Sequence, residues 1–259
     1  GSHSISCKLK NDSGYIDIDN LSLILLSNIT PVKGKYKIVK IYPHSENAYT
    51  QGLIYDNGRM FEGTGLNGQS VLKEVNVKNG EAIREIGVPE EYFGEGITLV
   101  NDKIYQLTWR SYVGFVYEKE TFKKLKEFNY NTEGWGLTFD GKCLLMSDGS
   151  ETLTFLDTSS FSVVKRVQVY DNNGPITRLN ELEYVDGNVY ANVYTTDFIV
   201  KIDPKTGKVL QRWELPSLLE ESDKTEKTDV LNGIAYISKN KHFFLTGKNW
   251  PKMFEVTLN

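Results

Sequence analysis

Short apolar runs separated by turn residues follow one another along most of this chain, and a five-residue pattern recurs among them. Each copy has a variable residue, then Gly or Glu, then Leu or Ile, one further residue, and an apolar or aromatic residue. The copies are Gln51-Gly52-Leu53-Ile54-Tyr55, Glu95-Gly96-Ile97-Thr98-Leu99, Trp135-Gly136-Leu137-Thr138-Phe139, Asn180-Glu181-Leu182-Glu183-Tyr184 and Asn232-Gly233-Ile234-Ala235-Tyr236. They stand 44, 40, 45 and 52 residues apart, the length of one propeller blade. The repeat predicts an all-β fold, a five-bladed β-propeller.

Each copy is followed by a turn signal such as Asp140-Gly141 and then by a second apolar run, as in a β-hairpin. Third strands are predicted over 111–117, 153–157 and 198–203, and a fourth over 208–213. The last unit ends after three strands, whereas 35–42 reads as an unassigned strand ahead of the first unit. We expect this N-terminal strand to complete the last blade and close the ring, since closure protects sheet edges.

Two parts of the chain lie outside the repeat. Residues 1–34 are predicted to be a tag remnant, Gly1-Ser2-His3, followed by an N-terminal extension, and 35–259 a single propeller domain that carries the catalytic site. The charged insertion 216–230 is predicted to form a helical turn.

Composition excludes several classes of protein. A net charge of -4 without a basic tract argues against a nucleic-acid partner. No apolar stretch reaches the ~18 residues of a membrane helix. Two cysteines cannot form a disulfide framework, and the three histidines show no zinc-ligand spacing, so any enzyme activity is expected without catalytic zinc.

The segment Ile5-Ser6-Cys7 is similar to a bacterial lipoprotein cleavage box, and a polar stretch follows it. Cys7 is therefore either a lipid anchor or an incidental cysteine. We expect the protein to be extracytoplasmic, as a periplasmic protein, a secreted protein or a lipoprotein.

Equivalent positions of successive blades surround the axis of a propeller, so the repeat defines two rings of side chains. The first ring is Gln51, Glu95, Trp135, Asn180 and Asn232, and the second is Gly65, Trp109, Gly149, Tyr194 and Lys248. Packing alone would favour similar residues, but the rings hold one carboxylate, one ammonium, three amides and three aromatics. A lone carboxylate facing aromatic walls has its pKa raised toward neutrality, as acid/base catalysis requires. The alternative is that these polar residues merely face water or cap the channel.

Six segments carry a resemblance to a known family. They are Tyr49-Thr50-Gln51-Gly52-Leu53, Phe93-Gly94-Glu95-Gly96-Ile97-Thr98, Tyr105-Gln106-Leu107-Thr108-Trp109, Gly134-Trp135-Gly136-Leu137-Thr138, Leu179-Asn180-Glu181-Leu182-Glu183 and Thr246-Gly247-Lys248-Asn249-Trp250-Pro251. In order and spacing the chain from Tyr36 onward resembles the plant and bacterial glutaminyl-peptide cyclotransferases. The resemblance implies a five-bladed propeller that converts the N-terminal glutamine of peptides or proteins to pyroglutamate and releases ammonia. This family is distinct from the zinc-dependent animal enzymes.

The resemblance also implies roles for individual residues. Glu95 becomes the essential acid/base, Phe93 lines the pocket, and the residues expected around the substrate are Gln51, Trp109, Trp135, Asn180 and Lys248. Two positions depart from the family pattern: Tyr49 stands where phenylalanine is common, and Tyr194 where tryptophan is usual. No cofactor is required. Some family members hold a structural calcium on the axis, for which ring carbonyls could supply ligands.

In the expected reaction, Glu95 takes the ammonium proton of the terminal residue and returns it to the leaving nitrogen. Lys248 and Asn180 polarise the side-chain amide, while Trp109, Trp135 and Tyr194 exclude water and hold the substrate folded. One rival is a non-catalytic propeller that binds a peptide or sugar. The other is a metal-dependent hydrolase such as a lactonase, which a single ring carboxylate disfavours.

Overall fold

The computed structural model describes the backbone of residues 1–259, and the side chains of all of these except residues 11 and 16–19. Its regular structure is β-strand apart from one 3₁₀ turn, Glu221–Asp223. The all-β prediction and the helical turn in the insertion are thereby confirmed. Within the described residues, no helix has the length and hydrophobicity needed to cross a membrane.

The N-terminal part of the chain contributes four strands. They are β1 (Ser2–Asn11), β2 (Gly14–Ile24), β3 (Val32–Lys33) and β4 (Tyr36–Pro43). β1 and β2 pair with each other as an antiparallel hairpin. Cys7 lies in β1 as an exposed free cysteine.

Five sheets of sequential antiparallel strands follow. The first is β5 (Thr50–Asp56), β6 (Arg59–Thr64), β7 (Val71–Val75) and β8 (Ala82–Gly87). The second is β9 (Gly94–Val100), β10 (Lys103–Thr108), β11 (Val113–Glu118) and β12 (Lys124–Asn129). The third is β13 (Leu137–Phe139), β14 (Cys143–Ser147), β15 (Thr152–Asp157) and β16 (Val163–Gln168). The fourth is β17 (Leu179–Val185), β18 (Asn188–Val193), β19 (Phe198–Ile202) and β20 (Val209–Glu214), and the fifth begins with β21 (Leu231–Ile237), β22 (His242–Gly247) and β23 (Lys252–Leu258).

The two remaining N-terminal strands join sheets formed by later parts of the chain. β4 pairs antiparallel with β23, so it supplies the fourth strand of the fifth sheet. This confirms the predicted pairing of the unassigned strand with the last unit. β3 adds to the fourth sheet, in parallel with β20.

The first strand of each sheet is more deeply buried than its last strand. In β5, β9 and β21 nearly every residue is buried, whereas β8, β12 and β16 are largely exposed. The first strand of each sheet contacts that of the next sheet, and β21 contacts β5. The apolar core therefore lies between neighbouring sheets; one cluster packs Ile54 and Phe61 of the first sheet against Ile97 and Phe115 of the second. Each fully buried side chain of this kind stabilises the fold by about 1.5–3 kcal/mol.

The repeated glycine allows the first strands to approach closely. A Cβ at Gly136 would lie 1.9 Å from the carbonyl oxygen of Asn180, so no larger residue fits between the third and fourth sheets. The fourth copy of the pattern has Glu181 instead. Its carboxylate accepts hydrogen bonds from the backbone N–H of Leu53 at 3.3 Å and of Ile234 at 2.9 Å. Glu181 thus links the first strands of three sheets.

Candidate functional site

One cavity of about 190 Å³ is lined by nine residues that sequence reasoning had singled out: Tyr49, Gln51, Phe93, Glu95, Trp109, Trp135, Asn180, Tyr194 and Lys248. Gln51, Glu95 and Asn180 lie in the first strands of their sheets. The others lie just outside strands, Trp109 after β10 and Lys248 after β22, for example. The repeat therefore brings residues from five sheets to a single opening.

A chain of amide hydrogen bonds orients the carboxyl of Glu95. Glu95 is only 5% exposed, and its Oε1 accepts a hydrogen bond from Gln51 Nε2 at 3.1 Å. Asn232 Nδ2 donates in turn to Gln51 Oε1 at 3.3 Å and to the carbonyl oxygen of Thr50 at 2.9 Å. Asn232, a member of the first ring, thus lies behind Gln51 rather than on the cavity, and fixes which end of the Gln51 amide faces Glu95.

Burial dominates the electrostatics of the cavity. It raises the pKa of Glu95 well above its usual value; the charge of Lys248 opposes this shift and that of Glu133 adds to it. Burial lowers the pKa of Lys248, and the charges of Glu95 and Asp229 oppose that change. A carboxyl whose pKa is raised toward neutrality can both accept and donate a proton near neutral pH.

Two polar side chains of the cavity have a group without a hydrogen-bond partner among the described residues. The ammonium nitrogen of Lys248 lies 4.6 Å from the ring centroid of Tyr49 and 5.0 Å from that of Tyr194, and it makes no hydrogen bond or ion pair within the described part of the chain. Asn180 Oδ1 is buried and has no hydrogen-bond partner among the described residues. Since buried polar groups are nearly always satisfied, the ammonium of Lys248, which lines the cavity, is a candidate donor to a ligand.

Aromatic rings form the walls through edge-to-face contacts. The ring of Phe93 lies 6.2 Å from Tyr49 and 5.5 Å from Trp109, and Trp135 lies 5.5 Å from Tyr194. Gly65 makes room for one wall, because a Cβ there would come within 2.3 Å of the Phe93 ring. The walls keep the cavity largely apolar around one carboxyl and one ammonium.

The backbone turns directly after two of the lining residues. Tyr194 is followed by Thr195 at φ 65°, and Lys248 by Asn249 at φ 58°. A β-branched residue such as threonine rarely adopts a left-handed backbone, and such strain is concentrated at functional sites. Both turns lie next to second-ring residues that line the cavity.

Sequence reasoning missed two carboxylates that hold the walls. Glu133 Oε2 accepts hydrogen bonds from Trp109 Nε1 at 2.7 Å and Trp135 Nε1 at 2.9 Å. Asp229 Oδ2 accepts one from the Tyr49 hydroxyl at 2.9 Å. Glu133 was detectable, since it precedes Trp135 by two residues, the offset at which Tyr49 and Phe93 precede their first-ring residues. Asp229 lies in the insertion, where the repeat gives no signal.

The described side chains offer no ready metal site. Nowhere among them do three or more His, Cys, Asp or Glu residues converge in a group that could hold an ion. The axial calcium that the family resemblance implies would have to rely on other ligands, and it stays a prediction.

The chain is similar in sequence to known proteins. A family model described as glutamine cyclotransferase matches residues 21–258. The chain is 39% identical over 227 residues to a glutaminyl-peptide cyclotransferase of Arabidopsis thaliana, covering 86% of this chain and 71% of the relative.

Two solved structures resemble the fold. The crystal structure of Myxococcus xanthus glutaminyl cyclase superposes with a TM-score of 0.82 at 34% identity, covering 88% of this chain and 98% of that one. The WD40 β-propeller domain of Doa1 matches with a TM-score of 0.50 at 11% identity over 79% of this chain and 62% of that one, a likeness of fold alone. The sequence and structural matches together confirm the resemblance, and the chain belongs to the glutamine cyclotransferase family of enzymes.

Proposed function

We propose that this protein is a glutaminyl-peptide cyclotransferase, which converts the N-terminal glutamine of peptides or proteins to pyroglutamate with release of ammonia. The observation that carries the proposal is the buried carboxyl of Glu95, whose pKa burial raises, in a cavity it shares with Lys248 and Asn180. The names of the Arabidopsis and Myxococcus relatives support the same activity.

In the proposed reaction the neutral α-amine of the terminal glutamine attacks Cδ of its own side-chain amide. As the new C–N bond forms, the attacking nitrogen loses one proton to the Glu95 carboxylate. Glu95 then delivers this proton to the amide nitrogen, the old C–N bond breaks, and ammonia leaves. One carboxyl thus serves both proton transfers, a contribution of about 10²–10⁴-fold in rate.

Lys248 and Asn180 are proposed to stabilise the oxygen of the tetrahedral intermediate. Both side chains line the cavity, and both carry donors, the ammonium of Lys248 and the Nδ2 amide group of Asn180. Gln51, which donates to Glu95, keeps that carboxyl in place. A donor aimed at a developing oxyanion contributes about 3–4 kcal/mol to catalysis.

The size of the cavity supports a proposal about which part of a substrate it binds. At about 190 Å³ it is smaller than the ~300–1,000 Å³ of pockets that enclose drug-sized ligands. We therefore propose that it encloses only the terminal glutamine, while the rest of the peptide lies outside. The rings of Phe93, Trp109, Trp135, Tyr194 and Tyr49 would hold the side chain folded toward the α-amine.

The fold is proposed to be a five-bladed β-propeller, with residues 35–259 as the catalytic domain and 1–34 as an extension. Five sheets, the contact of β21 with β5 and the pairing of β4 with β23 support a closed ring. Deleting residues 1–44 would remove β4, so we expect aggregation or a large drop in Tm. A truncated protein that melts like the full chain would contradict the closure.

We also propose an extracytoplasmic location and a reaction that does not depend on zinc. An extracytoplasmic protein with a lipid on Cys7 is supported by the lipoprotein-like segment and the exposure of that cysteine. Zinc independence is supported by the donor set, because the cavity offers Glu95 and no histidine, whereas catalytic zinc takes three protein ligands.

The decisive assay is ammonia release from a Gln-initiated dipeptide in the presence of a strong chelator. The matched control peptide carries glutamine in the second position only. We expect ammonia from the first peptide alone, at a rate the chelator leaves unchanged. No ammonia from either peptide would favour a non-catalytic binding propeller, and loss of turnover on chelation would favour metal-dependent chemistry.

A further inference from the structure

We propose that Glu133 is a positioning residue, a single carboxylate that fixes both tryptophan walls of the cavity. Its effect on turnover rests on the function proposed above, whereas its effect on the two indole rings does not. The family resemblance pointed to the tryptophans but not to the group that holds them.

Both indoles donate to the same oxygen atom. Trp109 follows the last strand residue of β10 in the second sheet, and Trp135 precedes β13 of the third sheet. Their Nε1 atoms lie 2.7 Å and 2.9 Å from Glu133 Oε2. Glu133 therefore ties two neighbouring sheets together at the cavity, and the position of one indole depends on that of the other. Hydrogen bonds to an ionised acceptor are stronger than neutral ones.

Arg110 completes the arrangement on the solvent side. Its Nε donates to Glu133 Oε1 at 2.9 Å, and its guanidinium carbon lies 3.9 Å from the centroid of the Trp109 ring. The ring of Trp109 is thus held by its N–H, by Arg110 over its face and by the edge contact with Phe93. Several contacts thus fix the Trp109 ring. A cavity wall has to be fixed in this way if it is to keep the flexible side chain of the substrate in one attack geometry.

The charge of Glu133 also affects the pKa of Glu95, the proposed acid/base group. Glu133 raises the pKa of Glu95, in the same direction as burial and against the ammonium of Lys248. The phenols of Tyr49 and Tyr130 also interact electrostatically with Glu95. Removing the Glu133 charge while keeping its shape should therefore lower the pKa of Glu95 and misplace the walls.

The test compares Glu133→Gln with the matched control Glu214→Gln. Glu214 pairs with Arg212 at 2.7 Å in the distant strand β20, and its side chain is 32% exposed against 31% for Glu133. With a Gln-initiated dipeptide we expect kcat of Glu133→Gln to fall by about 10–100-fold, with KM changed by less than about threefold, since a wall displaced by ~1 Å can cost ~10²-fold. The acid limb of its pH–rate profile should move to lower pH. Glu214→Gln should match the wild type.

Indole N–H signals of ¹⁵N-labelled protein provide a readout independent of activity. The chain has four tryptophans, and Trp213 and Trp250 donate to backbone carbonyls elsewhere, so they serve as internal references. In Glu133→Gln we expect the Trp109 and Trp135 signals to move and the other two to stay. Glu133→Asp, which keeps the charge, should give intermediate shifts and intermediate kcat, and it serves if the Gln variant does not fold.

Unchanged indole signals, or shifted signals with an unchanged kcat, would overturn the positioning role. If wild-type protein releases no ammonia from any Gln-initiated peptide, the proposed function fails. The indole spectra would then decide by themselves whether Glu133 holds the two walls.

Discussion

Two buried glutamates occupy neighbouring positions of the repeat and differ in what surrounds them. Glu95 takes the first position of its copy and faces the cavity, where one side-chain amide donates to it. Glu181 takes the second position of its copy, away from the cavity, and accepts from two backbone N–H groups of other sheets. Burial raises the pKa of both. A raised pKa alone therefore does not distinguish Glu95, the proposed catalytic group, from Glu181; its place on the cavity wall does.

A third buried glutamate, Glu62, has a lowered pKa instead of a raised one. Burial alone would raise the pKa of Glu62, but Lys73 at 2.9 Å, His44 at 3.0 Å and the Thr50 hydroxyl at 2.6 Å hold it well below its usual value. A carboxylate paired in this way stays ionised and exchanges no proton near neutral pH. Among these three, Glu95 alone combines a raised pKa with a place on the cavity wall.

Glu95→Gln should have the largest effect on turnover. The substitution keeps the volume but removes the titrating group, so we expect kcat to fall by about 10²–10⁴-fold in a folded protein. Ammonia release and circular dichroism check both parts. Glu181→Gln is the matched control, because it neutralises a carboxyl that is equally buried but faces no cavity; comparable losses in the two variants would contradict the distinction between them.

Glu95→Gln should also change how the stability of the protein depends on pH. Because burial raises the pKa of Glu95, the folded state binds its proton more tightly than the unfolded state does. The stability from this proton is fully present below the unfolded-state pKa and is lost as pH rises through the folded-state pKa. Glu95→Gln should therefore be at least as stable as the wild type at pH 8.

Lys248→Met should have the next largest effect. Methionine fills the space of the buried lysine stem between Tyr49 and Tyr194 but lacks the charge. If Lys248 stabilises charge that grows on the amide oxygen, kcat should fall by about 10²–10³-fold with little change in KM. A raised KM at constant kcat would show uniform binding instead, and unchanged values of both would remove Lys248 from the site.

Glu181→Ala should affect stability more than chemistry. The truncation leaves the N–H groups of Leu53 and Ile234 without their acceptor, at roughly 1–3 kcal/mol for each buried donor. We expect a lower midpoint of urea unfolding, with kcat per folded molecule near that of the wild type. A wild-type midpoint would show that water or backbone shifts satisfy these donors.

Most of the fold and the cavity could be predicted because both depend on the repeat. The spacing of the five copies placed the first strands, and equivalent positions of those copies meet at the cavity. The third strand of the second unit begins at Val113 instead of residue 111, because Tyr112 adopts a left-handed φ of 58° that interrupts extended backbone. Strand boundaries depend on such turns, which residue patterns define poorly.

What could not be predicted lies outside the repeat or in contacts between its copies. The hairpin of β1 and β2 and the addition of β3 to the fourth sheet have no counterpart in the repeat. Asp229 belongs to the insertion, so its contact with Tyr49 depends on how that loop packs. Asn232 stands at a first-ring position like Glu95, yet its amide turns toward Gln51, a choice made by hydrogen bonding that spacing does not encode.

The most direct test of the account is the titration of the Glu95 carboxyl itself. Protein labelled with ¹³C at the glutamate carboxyl carbons is titrated by NMR, and the Glu95 signal is assigned as the one missing from Glu95→Gln. We predict that Glu95 stays protonated well above the usual value of 4.5, in a pH range where exposed glutamates are already ionised. The acid limb of kcat/KM should follow the same titration. A Glu95 midpoint at or below 4.5 would contradict the assignment of this residue as the proton carrier.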